Sequence, residues 1–224
     1  TVIMADINEE SGRALAQDIE RAQFHTLDVT QQDSWKALID AVVQEHGRID
    51  VLVNNAGIVR LASIEDTTDE IWRATHAVGT DGTFYGCKSV LPAMKAQGSG
   101  SIINMSSTAA IQGGPGIFAY AASKAAIRAM TKSVACLSTE NGYGVRCTSI
   151  HPFNMATPMV DGVEEAVRQA MPEAAAGMEQ VWVGEPEDVA NMVLFLASEE
   201  SKAVNGAAMV IDNTATITQG NVLK

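Results

Sequence analysis

Six short apolar runs, TVIMAD, FHTLDV, DVLVNNAG, SIINMS, GVRCTSIHP and AAMVID, alternate along this chain with segments of helical length and amphipathic pattern. Few folds tolerate that order. Consecutive strands separated by a helix pair in parallel, because a crossover helix returns the chain to the same edge of the sheet. VLVNN and SIINM are apolar on both faces, as expected where helices cover both sides of a parallel sheet. The pattern predicts an α/β protein with one doubly wound parallel sheet and helices near 9–21, 31–46, 69–96, 119–138 and 186–198. No repeat or linker interrupts it, so its 224 residues are expected to form a single domain, 1–224, large enough to bury a core unaided.

Composition removes several functions. The formal charge of −12 and a pI of about 4.7 argue against a nucleic-acid or anionic-lipid surface. No apolar run approaches the roughly 20 residues of a membrane span. Cys87, Cys136 and Cys147 are odd in number and have no C-x-x-C pair, which predicts buried, reduced thiols and a cytoplasmic setting. His25, His46, His76 and His151 lack metal-ligand spacing, so no metal site is expected.

The stretch STAAIQGGPGIFAYAASK, from Ser107 to Lys124, brings together a hydroxyl, a phenol and an ammonium. Tyr120 and Lys124 stand four apart in an alanine-rich helical segment and share a face. A lone Y-x-x-x-K arises by chance in many helices, as a phenol packed beside a surface lysine. Ser106 and Ser107 close the preceding strand, and that upstream hydroxyl makes proton-coupled redox chemistry the better reading.

With Asp6 after the first strand, LDV at 27–29, NNAG at 54–57 and HPFNMATP at 151–158 in the same order, the chain resembles the short-chain dehydrogenase/reductase family from residue 1 to about Asp212. Its carboxyl half is most similar to hydroxysteroid and alicyclic-alcohol dehydrogenases. The resemblance implies a Rossmann-like sheet with Tyr120 as general acid or base, Ser107 on the substrate oxygen and Lys124 on the nicotinamide ribose. There Lys124 would also lower the phenol pKa from its usual value of about 10. Ser106 is the rival for the serine role, but Ser107 has the family's thirteen-residue separation from the tyrosine.

The cofactor contacts implied by the resemblance are Asp6, Asp28, Val29, Asn54, Ala56, Gly57, Pro152, Met155 and Thr157, with Tyr120 and Lys124. A carboxylate at Asp6 can bind both adenosine ribose hydroxyls and repel a 2′-phosphate, so NAD is expected over NADP. Asp6 also reads as a cap for the helix after it. The NNAG segment is expected to pass beneath the cofactor and tie neighbouring strands. Phe153 stands where the family usually has glycine.

Two further departures matter. No G-x-x-x-G-x-G occurs, and GGPG at 113–116 opens no helix that could hold a pyrophosphate. The expectation is an incomplete amino end, the other reading being a truncation lacking one strand and its glycine-rich turn; either way, weak NAD binding by this chain alone follows. Gly79 replaces the family's catalytic asparagine, whose side chain supports a distortion of the helix and whose carbonyl holds a relay water. A weakened proton relay is therefore expected, against a plainer reading of close helix packing at Gly79 and Gly82.

The apolar segment 159–183 is expected to serve as a substrate lid, or else as ordinary core packing. The reading is thus an NAD-dependent oxidoreductase for a small hydrophobic alcohol or ketone, with a homodimer or homotetramer formed through the long helices. Its alternative is an impaired member acting as a binding or scaffold protein. A serine hydrolase is disfavoured because G-x-S-x-G is absent.

Overall fold

Hydrophobic alternation becomes strand and helix alternation in the computed structural model, which describes residues 1–170 and 181–218. Strand β1 (Val2–Asp6) leads to α1 (Glu9–Asp18), β2 (Ala22–Thr26), α2 (Gln32–His46) and β3 (Val51–Asn54). After α3 (Asp69–His76), a π turn at Ala77–Asp81 joins α4 (Gly82–Gln97), followed by β4 (Gly100–Met105), α5 (Phe118–Glu140) and β5 (Val145–Pro152). Helices α6 (Pro158–Ala170) and α7 (Pro186–Ala197) precede β6 (Ala208–Ile211).

Local chemistry sets the helix ends. Asn8 caps α1 by accepting from the Ser11 N–H at 3.1 Å, with Glu9 and Glu10 in the first, positive turn. Gly47 ends α2 in the left-handed conformation at φ 75°. The second strand, expected over FHTLDV, instead spans Ala22–Thr26. Asp28 turns the chain away by accepting from both the Thr30 N–H and its hydroxyl, at 2.9 and 2.7 Å.

All strand pairs are parallel, in two pieces: β1 with β2, and β3-β4-β5-β6 in that order. The expected doubly wound parallel arrangement is present, with β1 and β3 not hydrogen-bonded to each other. Helix α2 bridges the pieces: Trp35, Leu38 and Val42 form a cluster with Leu27, against which Ile3 of β1 and Leu52 of β3 pack. Strands β4 and β5 are buried on both faces, whereas β3 is only half-buried, with Val53 36% exposed despite its apolar sequence.

On one side of the larger sheet Ile102, Cys147 and Val145 meet Cys87, Val90 and Met94 of α4 and Ala135 of α5. On the other, Ile103 and Ile150 meet Leu196 of α7. Helices therefore cover both faces, the doubly wound arrangement. Cys87 and Cys147 are buried, but Cys136 is exposed on α5, contrary to expectation. Among the described residues no helix is long and apolar enough to cross a membrane.

A polar seam crosses this core. Asn54 stands in register with Asn104 and donates to its Oδ1 at 2.8 Å; Asn104 Nδ2 donates to Thr131 Oγ1 at 2.9 Å on α5.

Candidate active site

Strand β4 ends where the site begins. Its pairing with β5 continues beyond Met105 through Ser106 N–H to the Ile150 carbonyl at 2.8 Å. The Ser106 hydroxyl is buried and donates to the Lys124 carbonyl at 2.8 Å, so it is committed to holding α5. Ser107 Oγ accepts from the Ala109 N–H at 3.1 Å and lies 3.5 Å from the Pro152 carbonyl, at the wall of a large cavity. That geometry separates the two serines.

Tyr120 and Lys124, one turn apart on α5, face the same cavity, with Lys124 Nζ 5.5 Å from the Tyr120 ring centroid. Lys124 is 4% exposed and donates to the Met105 carbonyl at 2.7 Å. Burial of the ammonium lowers its pKa to about 8. Tyr120 moves upward, chiefly by burial and partly offset by a hydrogen bond from Ser107. This is opposite to the depression expected from Lys124.

At the other end of the cavity, whose volume is about 1060 Å3, stand Asp6, Asp28 and Val29. Asp6 is exposed at the end of β1, and its Oδ1 accepts from the Asn8 N–H at 2.8 Å. The helix cap is thus Asn8, with Asp6 steadying it. Ala56 and Gly57 also line the cavity, as do Pro152, Met155 and Thr157. A Cβ at Gly57 would lie 3.3 Å from Lys124 Nζ, so the close approach available here is to the lysine.

Asn54 is the exception among the expected cofactor contacts. Its side chain points inward to Asn104, and Asn55 takes the cavity wall instead. The expected tie between strands is present; the direct cavity contact is not. Sequence reasoning assigned no role to Gln112 and Ile117, inside the stretch from Ser107 to Lys124, or to Glu164, inside the expected lid, and all three line the cavity. From the expected lid, α6 contributes Met159, Val160, Val163 and Glu164; residues 171–180 of that segment lie outside the described residues.

Gly79 sits within the π turn, so the helix distortion forms without an asparagine side chain. A hydroxyl chain occupies the region: His76 Nδ1 lies 2.9 Å from Thr80 Oγ1, which donates to Ser123 Oγ at 3.1 Å. A Cβ at Gly79 would stand 2.3 Å from that Ser123 oxygen, and one at Gly82 3.1 Å from Val29 Cγ2. Close packing at both glycines is therefore real. We predict that Gly79→Ala lowers stability, because overpacking costs about 1–3 kcal/mol against roughly 1 kcal/mol of helix propensity gained. In a Ser123→Ala background the same change becomes stabilising. Thermal melts of the four proteins read the reversal, and equal effects in both backgrounds would refute the contact.

A parallel α/β sheet with a serine, a tyrosine and a lysine at the carboxyl ends of its strands, beside a cleft reaching an acidic strand end, defines an oxidoreductase of the dinucleotide-binding kind. The chain belongs to the short-chain dehydrogenase/reductase family, whose enzymes use a nicotinamide cofactor: a family model described as enoyl-(acyl carrier protein) reductase matches residues 1–216. It is 39% identical over 237 residues to trans-4-hydroxycyclohexanecarboxylate dehydrogenase of Sinomonas cyclohexanicum, covering 100% of this chain and 85% of that one. It is 41% identical over 212 residues to 3-alpha-(or 20-beta)-hydroxysteroid dehydrogenase of Mycobacterium tuberculosis, covering 94% and 78%. A further relative, from Lentilactobacillus kefiri, is named as an NADP-dependent (R)-specific alcohol dehydrogenase. The crystal structure of levodione reductase superposes with a TM-score of 0.87 at 28% identity, covering 97% of this chain and 88% of that one.

Proposed function

We propose that the protein is an NAD-dependent oxidoreductase that interconverts a neutral, hydrophobic secondary alcohol and its ketone. The observation that carries this reading is the convergence of Ser107, Tyr120 and Lys124 on one cavity whose far end holds Asp6. The residues fit the adenosine and nicotinamide ends of a nicotinamide dinucleotide, with no glycine-rich turn for its pyrophosphate: Asp6 for the adenosine ribose, Asp28 and Val29 for adenine, and Lys124 for the second ribose. Ala56 and Gly57 would lie beneath it, with Pro152, Met155 and Thr157 at the carboxamide. Bound nicotinamide supplies or accepts the hydride.

Everything else falls to this chain. Ser107 holds the substrate oxygen by a hydrogen bond. Tyr120, kept protonated by burial, gives its phenolic proton to a ketone oxygen in reduction and takes the proton back in alcohol oxidation. Lys124, with its lowered pKa, stabilises the phenolate that reduction leaves behind. The test is hydride transfer followed by nicotinamide absorbance on a panel of cyclic and steroidal secondary alcohols; no transfer to or from any of them defeats the proposal.

Asp6→Ala should narrow the preference for NAD over NADP by about tenfold or more at low salt. The motive is repulsion between an exposed carboxylate and the added phosphate, and screening weakens it as ionic strength rises. Tighter NADP than NAD binding by the unmodified protein, measured by titration, contradicts the assignment.

Substrate charge gives another expected result. Ile117, Phe153, Met159 and Val163 line the cavity together with Ser107 and Tyr120, and Glu164 of α6 brings a carboxylate to the same wall. A ring alcohol bearing a carboxylate should therefore be used at least about tenfold less efficiently than cyclopentanol, a difference of about 1.4 kcal/mol. Glu164→Lys should close that gap in kcat/KM. Equal use of both alcohols by the parent enzyme would remove Glu164 from specificity. A homodimer or homotetramer fits the outer faces of α4 and α5, where Phe84 and Leu137 are exposed.

A further inference from the structure

His151 is fully buried in β5, one residue before Pro152, and the chemistry assigned so far leaves it without a role. Its Nδ1 lies 3.0 Å from the Ser107 carbonyl oxygen, and its Nε2 lies 2.8 Å from Ser149 Oγ. A carbonyl can only accept, so Nδ1 carries the proton; in the neutral ring Nε2 then accepts the Ser149 hydroxyl proton. Desolvation first, and then the nearby Arg128 and Lys124 cations, hold the imidazole neutral, against the bond to the Ser107 carbonyl.

The Ser107 carbonyl also accepts from the Ala110 N–H at 3.0 Å. Its peptide is thereby clamped from two directions, and the next residue on β5 offers the Pro152 carbonyl to the Ser107 hydroxyl at 3.5 Å. Rotation of that peptide would swing the hydroxyl away from Tyr120. The ring itself is anchored, because Ser149 is held by the β5–β6 pairing opposite Ala208.

We infer that His151 is a positioning residue for the reaction: as the neutral, Nδ1-protonated tautomer it fixes the Ser107 peptide so that the serine hydroxyl meets the substrate oxygen beside Tyr120. The inference rests on the reading of Ser107 as the substrate-oxygen donor. It concerns orientation, since the imidazole exchanges no proton with the substrate.

The test pairs three changes, His151→Leu, His151→Asn and Ser107→Ala, with steady-state rates on an accepted ketone, nicotinamide affinity and thermal melts measured for each. His151→Leu should lower kcat by about 10- to 100-fold while changing cofactor Kd by less than about threefold. His151→Asn, whose amide can reach the position of Nδ1, should recover most of that loss. In the Ser107→Ala background, His151→Leu should cost little more. Losses that multiply in the double variant would mean that the ring does not act through Ser107, and the inference fails. A Ser107→Ala enzyme as fast as its parent would instead overturn the reading of the site, and the inference with it. Should the leucine variant fold poorly, nitrogen NMR of the parent's imidazole decides: a proton on Nδ1 across neutral pH supports the role, and a proton on Nε2 alone refutes it.

Discussion

Tyr120→Phe should lose about 10²–10⁴-fold in turnover, the usual contribution of general acid–base catalysis, with nicotinamide affinity held within about twofold. The ring remains, and with it the face over which the Lys124 ammonium lies at 5.5 Å. What disappears is the one phenolic proton beside Ser107. Because burial keeps that phenol protonated, the unmodified enzyme should reduce ketones readily at neutral pH and oxidise alcohols faster as pH rises. Rapid-mixing measurement of a single hydride transfer separates the chemical step from product release. An unchanged single-turnover rate in the phenylalanine enzyme removes Tyr120 from the chemistry.

Lys124→Met should produce an enzyme that is both more stable at pH 7 and nearly inactive. The buried ammonium has a folded-state pKa of about 8, against 10.5 when free. Between those values the unfolded chain holds a proton that the folded one has released, so parent stability rises with pH across that window. Below it the parent carries the whole cost, about 3 kcal/mol from the difference in pKa. Loss of the donor to the Met105 carbonyl returns about 1 kcal/mol or more of that gain. The methionine variant should therefore lead by about 1–2 kcal/mol at pH 7, and the lead should vanish by about pH 10.5. Denaturant unfolding at several pH values reads it directly. A parent more stable than the variant at neutral pH would show that the lysine is not strained by burial.

Much of this was legible in the residues, because periodicity and local spacing carry it. Tyr120 and Lys124 share a helix face by their four-residue interval alone. Elsewhere the deciding interactions join residues far apart in sequence. Ser106 and Ser107 look alike until the Lys124 carbonyl captures one of them. Asn54 and Asn55 alternate between core and cavity, but with apolar residues on both faces of β3 the hydropathy pattern could not say which faced which way. Exposure of Cys136 depends on how α5 rolls against its neighbours, which an alanine-rich segment leaves undetermined. Glu164 belongs to no motif, and only the return of α6 over the cavity shows it. The π turn at Gly79 is similar, since its supporting hydroxyl comes from Ser123 on another helix.

The pairing of Asn54 with Asn104 makes the active site's alignment a property of the core. Two strands as apolar as VLVN and SIINM could zip together at several offsets with little difference in buried area. Only the observed offset sets the carboxamides opposite one another and gives Asn54 Nδ2 the Asn104 oxygen as its close acceptor. Any shift would strand a buried amide at a cost of about 1–3 kcal/mol. The seam therefore works as a key that admits one alignment, and it acts at the last residue of β3. Three residues later the backbone must pass Lys124 Nζ at Gly57. Placement of the Lys124 ammonium under the chain is thus decided inside the protein, by two side chains buried in the core.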